Sequence, residues 1–342
     1  MFMRKRKLAF FICAGLSLIL LLAAHARADD GADNATDWYF GAGISLYVVD
    51  VPDYAPVWDV EVSGLGPLTI SESSRITLAG GPIAAPLFEA TLGKELDDQW
   101  FVETRFEYAY VKNRSSHSNW GSDPALTHGT VFFPLDGVDS NTRGLWSTAQ
   151  MELEFEFQQY GAALVAGKTF SGDDWHIRPF AGLWFQERDT TYRMDFGDGG
   201  FNVPTYFVDD IETMYRGLLV GVGLTLPMNG WAIELETTHG VASAHTQYSG
   251  FWDTITSLPG TSSDLSLDKY EWAYRGTLQA SVSIPVSNGW EFGLTGGLRY
   301  LSYVPRLMSS GQANDAKLAG PAHLVGESSF SGKLGLEIVY SF

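Results

Sequence analysis

The last thirteen residues, Phe330 to Phe342, read FSGKLGLEIVYSF and constrain this chain more than any other stretch. Every second residue from Phe330 is apolar or glycine: Phe330, Gly332, Leu334, Leu336, Ile338, Tyr340, Phe342. The residues between them are small or polar, with Val339 as the exception. Period 2 sustained over a whole segment is a strand with two different faces. In a closed barrel in lipid, the apolar phase faces acyl chains, the polar phase faces the lumen, and no strand edge is left unpaired.

The start of the chain is an export address. Arg4, Lys5, Arg6 and Lys7 form a basic region, Leu8 to Ala24 is apolar, and Ala26-Arg27-Ala28 supplies small residues for signal-peptidase cleavage. The expected organisation is a cleaved signal over 1–28 and one barrel domain over 29–342. Cys13, the one cysteine, lies in the signal, so no disulfide is available to the mature chain in the periplasm. Without the five basic residues of the signal, 17 Lys and Arg stand against 40 Asp and Glu, a formal −23. That sign excludes nucleic acid as a partner. It suits a surface protein that attracts cations or meets a lipopolysaccharide layer bridged by divalent ions.

A repeat appears on looking upstream of five tryptophans. Leu96-Asp97-Asp98-Gln99-Trp100, Phe170-Ser171-Gly172-Asp173-Asp174-Trp175, Leu226-Pro227-Met228-Asn229-Gly230-Trp231 and Ile284-Pro285-Val286-Ser287-Asn288-Gly289-Trp290 share one plan. A strand ends, a few turn residues follow, and Trp opens the next strand; Trp38 opens the first strand likewise. Trp at a membrane–water boundary is expected of a ring with an apolar body and one polar N–H. Trp38, Trp100, Trp175, Trp231, Trp290 and Phe342 are therefore the candidate interface residues. From each Trp the apolar residues run in its phase, as in Phe40-Ala42-Ile44-Leu46. The opposite phase carries polar sets such as Glu103-Arg105-Glu107.

Five descending strands, near 86–96, 146–170, 209–226, 268–285 and 329–342, complete an even count of ten. Four short turns fall on one side and five longer loops, near 51–85, 113–145, 193–208, 244–267 and 305–328, on the other. In the first loop, Val57 to Ser63 and Arg75 to Ala79 are strand-like but too short to span, and read as an outer hairpin; were they to span, the barrel would have twelve strands. The fourth strand alternates Met151, Leu153, Phe155 and Phe157 against three glutamates. Nearer the turn, Tyr160, Ala162, Leu164 and Ala166 take the other phase, which predicts a one-residue bulge near Gln158-Gln159.

Taken together, the alternating aromatic C-terminal strand, the Trp-led strands and the turn–loop asymmetry resemble bacterial outer-membrane β-barrel proteins, of the small porin-like, ten-strand class. The resemblance implies an all-β, single-chain antiparallel transmembrane barrel in the outer membrane of a Gram-negative cell, reached through the periplasm. It also implies contact with outer-membrane lipid and lipopolysaccharide, and a C-terminal strand read by the barrel-assembly machinery. The lumen phase predicts Glu103, Arg105, Glu107, Arg178, Glu234, Glu236, Arg275, Glu291, Arg299, Lys333 and Glu337 as lumen-lining residues. They would form either a plug of ion pairs or a narrow, mildly cation-preferring path for small solutes. A structural, narrow-pore or surface-binding role follows, with small solutes or surface ligands as possible partners.

The rival class is a surface hydrolase. Ten-strand barrels include the omptin proteases, which this chain resembles in strand count, loop asymmetry and C-terminal Phe. Omptin chemistry uses an Asp pair and an Asp–His pair, each spaced i, i+2, on opposite upper rims. This chain has no Asp-x-Asp, and its Asp-x-His, Asp174 with His176, belongs to a short periplasmic turn. His117, His128, His239 and His245, with Asp209-Asp210, remain as candidates that would have to converge at the outer rim. Serine-hydrolase, phosphate-loop and zinc-protease motifs are missing, and Asp195 to Gly200 lacks calcium-loop spacing. The sequence therefore predicts a non-enzyme with no catalytic residues, no cofactor and no metal.

Overall fold

The computed structural model describes residues 38–54, 57–63, 69–76, 79–96, 99–117, 129–131, 144–146, 151–196, 205–254, 262–287, 289–308 and 323–342. Ten long antiparallel strands form the barrel: β1 (Trp38–Tyr54), β4 (Ala79–Glu95), β5 (Trp100–His117), β8 (Met151–Lys168), β10 (His176–Phe196), β11 (Thr205–Met228), β12 (Trp231–Thr254), β13 (Ser262–Ser287), β14 (Trp290–Met308) and β15 (His323–Ser341). Each pairs with its chain neighbours in this series, β10 with β11 included, and β15 returns to β1, so the ring is closed. The remaining strands are accessory. β2 (Val57–Ser63) and β3 (Thr69–Ile76) pair only with each other, as do β6 (Gly129–Val131) and β7 (Gly144–Trp146), while β9 (Phe170–Ser171) adds one short rung to β10. The first loop thus carries an outer hairpin and the barrel has ten strands, not twelve. The signal stretch lies outside the described residues.

The closing seam joins the last strand to the first over Tyr39↔Ser341 to Val49↔Ser331. Trp38 and Phe342 exchange both backbone hydrogen bonds, at 3.1 and 2.8 Å. The turns at this end are tight. Asn229-Gly230 joins β11 to β12 with Gly230 at φ 90°, and Gly289 before Trp290 sits at φ 82°, a backbone region open to glycine at little cost. Trp100, Trp175, Trp231 and Trp290 are exposed beside these turns, and Phe342 with them.

Two zones stack along the barrel axis. In the lower zone the outward residues are apolar and exposed: Ile44, Leu46, Leu164, Leu183, Leu218, Val220, Leu278, Leu298, Leu334 and Leu336 among them. The inward residues there are charged or small. No soluble protein leaves such a girdle in water, whereas acyl chains solvate it at no cost. In the upper zone the assignment inverts. Leu153, Phe155, Phe157, Val49, Val51, Tyr192, Met194, Ile211, Leu307 and Leu324 point inward and form one buried cluster across the lumen, while Glu152, Glu154 and Glu156 point outward.

This inversion corrects the predicted bulge in β8. Its register runs unbroken from Met151 to Gly167 against β10 and from Met151 to Lys168 against β5. One parity holds throughout: odd residues face in and even residues face out. What changes is the medium outside the wall. Below, the outer face meets lipid and takes Leu164 and Ala162; above, it meets water and takes glutamate, and the apolar side chains turn to the interior. The walls also rise further than expected, since residues 79–85, 205–208, 244–254, 262–267 and 323–328, read as loop, belong to strands.

The upper zone is closed by leaning strands rather than by a complete ring of backbone bonds. Pairing of β13 with β14 stops at Arg275↔Leu301, while β14 continues upward on β15 with one extra residue between Leu301 and Val304. That bulge tips β14 inward, burying Tyr303 and Val304 beside Trp184 and Tyr215. Tyr215 Oη donates to the Tyr303 carbonyl at 2.9 Å across the lumen, and Arg188 on β10 reaches the Asp50 carbonyl on β1 at 3.4 Å.

On the outer face of the upper wall, Glu154 accepts from Lys112 and Arg193, each at 2.8 Å. The hydrogen bond from Lys112 holds the Glu154 carboxyl below its usual range, with the charges of Lys112 and Arg193 acting the same way. A depressed folded-state pKa contributes stability above the unfolded carboxylate range and loses it as pH falls through the folded value. Glu154→Gln should therefore unfold at slightly lower denaturant than the parent at neutral pH, and the two curves should merge in acid. Curves that stay equally separated in acid would count against this pairing. The effect is small because the pair is largely solvated.

Candidate functional site

The lower lumen encloses a cavity of about 430 Å³, roofed by Trp184, Tyr47 and Leu219 and reaching Glu291, Val339 and Ser341 at the short-turn end. All eleven predicted lumen residues, from Glu103 to Glu337, lie along it. The strand period explains the placement: Glu103, Arg105 and Glu107 share one face of β5, Glu234 and Glu236 one face of β12, and Lys333 and Glu337 one face of β15.

Closure of the barrel turns these charges into a network. Arg105 forks onto both oxygens of Glu236 at 2.5 and 2.8 Å across the lumen, and also contacts Glu103. Glu103 accepts from Tyr39 Oη at 2.6 Å, and Tyr39 in turn accepts from Arg178 at 3.1 Å. Glu107 is held by both arms of Arg299 at 2.9 and 2.5 Å and by Gln159 at 3.1 Å. Lys333 donates to Glu89 at 2.5 Å. Bidentate guanidinium–carboxylate pairs of this kind combine charge with fixed direction.

The network does not balance. The cavity walls hold Glu89, Glu95, Glu103, Glu107, Glu234, Glu236, Glu291 and Glu337 against Arg105, Arg178, Arg275, Arg299 and Lys333, a formal −3. Among the described residues Glu291 and Glu337 have no cation within ion-pair distance, and Glu234 has only Ser281 as a donor, at 3.4 Å. Period-2 counting missed Glu89, Glu95, Tyr39 and Trp184. Glu89 sits opposite Gly43 on the inward face of β4, a phase that period 2 marks once β4 is placed; Trp184 was hidden because its phase opposes that of Trp175.

The rim histidines do not converge. His239 and His245 lie on the outward parity of β12, facing away from the lumen. His239 contacts Tyr274 Oη at 2.6 Å; His245 contacts Asp268 at 2.8 Å and stacks on Tyr270 with centroids 4.2 Å apart. Asp209 points the opposite way, into the upper core, where it accepts from Tyr248 at 2.8 Å. Tyr248, which falls in the loop expected near 244–267, is thus a buried wall residue. Burial raises the Tyr248 phenol above its ordinary pKa, and the Asp209 charge adds to the shift. His176 sits at the short-turn end, 2.9 Å from Ser171 Oγ. His128 and residues 197–200 of the glycine-rich turn lie outside the described residues, as does any description of the His117 side chain.

A closed antiparallel ring, an outward apolar girdle bounded by tryptophans, and a charged interior define a transmembrane β-barrel of the bacterial outer membrane. No family model matches the chain, and no curated protein sequence is significantly similar to it. Its backbone is similar to the outer-membrane protease OmpT from Escherichia coli, at 10% identity and TM-score 0.45, covering 91% of this chain and 97% of that one. It is also similar to the translocator domain of the autotransporter NalP from Neisseria meningitidis, at 8% identity and TM-score 0.37, over 97% and 98% of the two chains. A FadL homologue from Pseudomonas aeruginosa is similar at 9% identity and TM-score 0.31, over 90% of each. The barrel class itself rests on this chain's own register and wall chemistry.

Proposed function

We propose that this protein is a sealed outer-membrane barrel with a structural and binding role, carrying a charged cavity accessible from the periplasm rather than a path through the membrane. The observation that carries this reading is the apolar cluster around Phe157, Val51, Tyr192 and Leu307, which fills the upper lumen from wall to wall. An ion crossing it would give up most of its hydration shell among these packed apolar side chains, at a cost of several kcal/mol. The charged network below is then scaffold and site, and the tall aqueous wall above is the part presented at the cell surface. Outward placement of His239 and His245 removes the support for a rim hydrolase built on them.

Planar-bilayer recording of the folded protein tests this directly. Current indistinguishable from the detergent control is expected; reproducible unitary steps would defeat the seal. The C-terminal strand is proposed as the segment read by the assembly machinery. Deleting Phe342, whose N–H donates to the Trp38 carbonyl at 2.8 Å, should lower the yield of heat-modifiable barrel in cells, and an unchanged yield would argue otherwise.

A further inference from the structure

The upper zone holds a buried charge that its apolar surroundings do not explain. Arg188, on the inward face of β10, is 4% exposed. Its hydrogen bond to the Asp50 carbonyl is long, at 3.4 Å, and that oxygen already accepts from Ser329 at 2.6 Å. Its flat face lies over the Phe157 ring. A buried guanidinium costs several kcal/mol unless a counter-charge and further hydrogen bonds offset it. A phenyl ring and a shared carbonyl supply part of this, but no negative charge.

Beside Arg188, where the leaning β14 meets β1 and β10, lies a small cavity of about 10 Å³. Its walls carry two arginines, Arg188 and Arg306, and no Asp or Glu. Glu327 pairs with Arg306 at 2.8 Å and so balances one of the two charges. Arg188 is the other. Thr190, two residues along the same inward face, also lines the cavity and offers a hydroxyl donor. A cavity of this size admits one particle close to the size of a water molecule. That excludes acetate, phosphate and larger anions. A water would accept a hydrogen bond from the guanidinium and leave its charge uncompensated. A monatomic anion does both.

We infer that this cavity is a halide site. One chloride ion sits against the Arg188 guanidinium, with Thr190 as a second donor, and supplies the counter-charge inside the upper lumen. The site goes beyond the sealed-barrel reading and does not depend on it, because the ion is a bound part of the fold.

Refolding the full-length barrel in sodium chloride, sodium bromide or sodium gluconate at matched ionic strength tests the site. Crystals grown from the bromide preparation should show an anomalous bromine peak beside Arg188. In lipid vesicles at a fixed urea concentration, the unfolding equilibrium constant should be at least about threefold lower in chloride than in gluconate. That is the shift expected once chloride exceeds about twice its dissociation constant. Arg188→Met keeps an unbranched side chain and removes the charge, a kind of replacement that buried ionic sites often tolerate. Its unfolding should no longer distinguish chloride from gluconate, and its bromine peak should be gone. Arg114→Met, on the exposed outer wall, should retain both. Heat-modifiable mobility confirms that each variant is folded; should Arg188→Met not fold, the peak and the chloride effect in the parent decide by themselves. Water alone in the cavity of the bromide crystals, equal stability of the parent in chloride and gluconate, or a chloride effect undiminished in Arg188→Met would overturn the assignment. A bromine peak with no difference in stability would mean an adventitious ion only, and would overturn it too.

Discussion

Replacing Glu107 with Gln is expected to be the most damaging single charge change in the lower barrel, costing about 3–5 kcal/mol. Glu107 is the one carboxylate that Arg299 grips with two hydrogen bonds, and Arg275 stands 3.7 Å from it. The side chains of Arg299 and Glu107 are only 13% and 11% exposed, so water cannot replace the lost partner. Gln preserves the shape and one acceptor but removes the charge, leaving two guanidinium groups facing each other. Breaking a buried pair by deleting one partner costs far more than the pair's net contribution, because the surviving charge is stranded. Glu291→Gln is the matched control: without a cationic partner its loss should stay within about 0.5 kcal/mol. Equilibrium urea unfolding in lipid vesicles compares the two, and similar midpoints would mean that the lumen network does not hold the barrel together.

The second large effect is expected in the upper zone. Phe157 is fully buried at the centre of the apolar cluster and carries the Arg188 guanidinium over its ring at 4.9 Å. Phe157→Ala removes most of an aromatic side chain from a packed interior and should cost about 3–5 kcal/mol, the usual transfer and cavity terms together. Glu156→Ala, the adjacent residue on the outward face, should cost within about 0.5 kcal/mol. The contrast discriminates between the two readings of β8. Were a bulge present and the phases exchanged, the order of the two effects would reverse.

Much of the architecture was legible because a β-strand writes its two faces into the sequence at period 2. Trp38, Trp100, Trp175, Trp231 and Trp290 marked the short-turn end because turn chemistry and an interfacial ring lie next to each other in the chain. The tallest walls were misread as loops for a physical reason: above the lipid, strands need not be apolar outside, so segments such as 244–254 lose the signal used to find them. The charge pairs were not legible. Arg105 and Glu236 lie 131 residues apart, Arg299 and Glu107 192, Lys333 and Glu89 244. Period 2 says that each faces inward and says nothing of which partner lies across the lumen. Arg275 belongs to the same geometry: it stands 3.7 Å from the carboxylate whose two oxygens Arg299 takes.

From sequence alone came the parity of the Trp-led strands, the even number of strands, the end at which the short turns gather and the strand that closes the ring. These are local properties, set by backbone geometry that repeats every two residues. The tertiary structure alone decided which solvent each face meets at each height, and therefore that Leu153 and Phe157 are buried inside the upper barrel while Leu164, of opposite parity, meets lipid. Height in the membrane follows from register, tilt and closure of the whole ring, which no segment carries by itself.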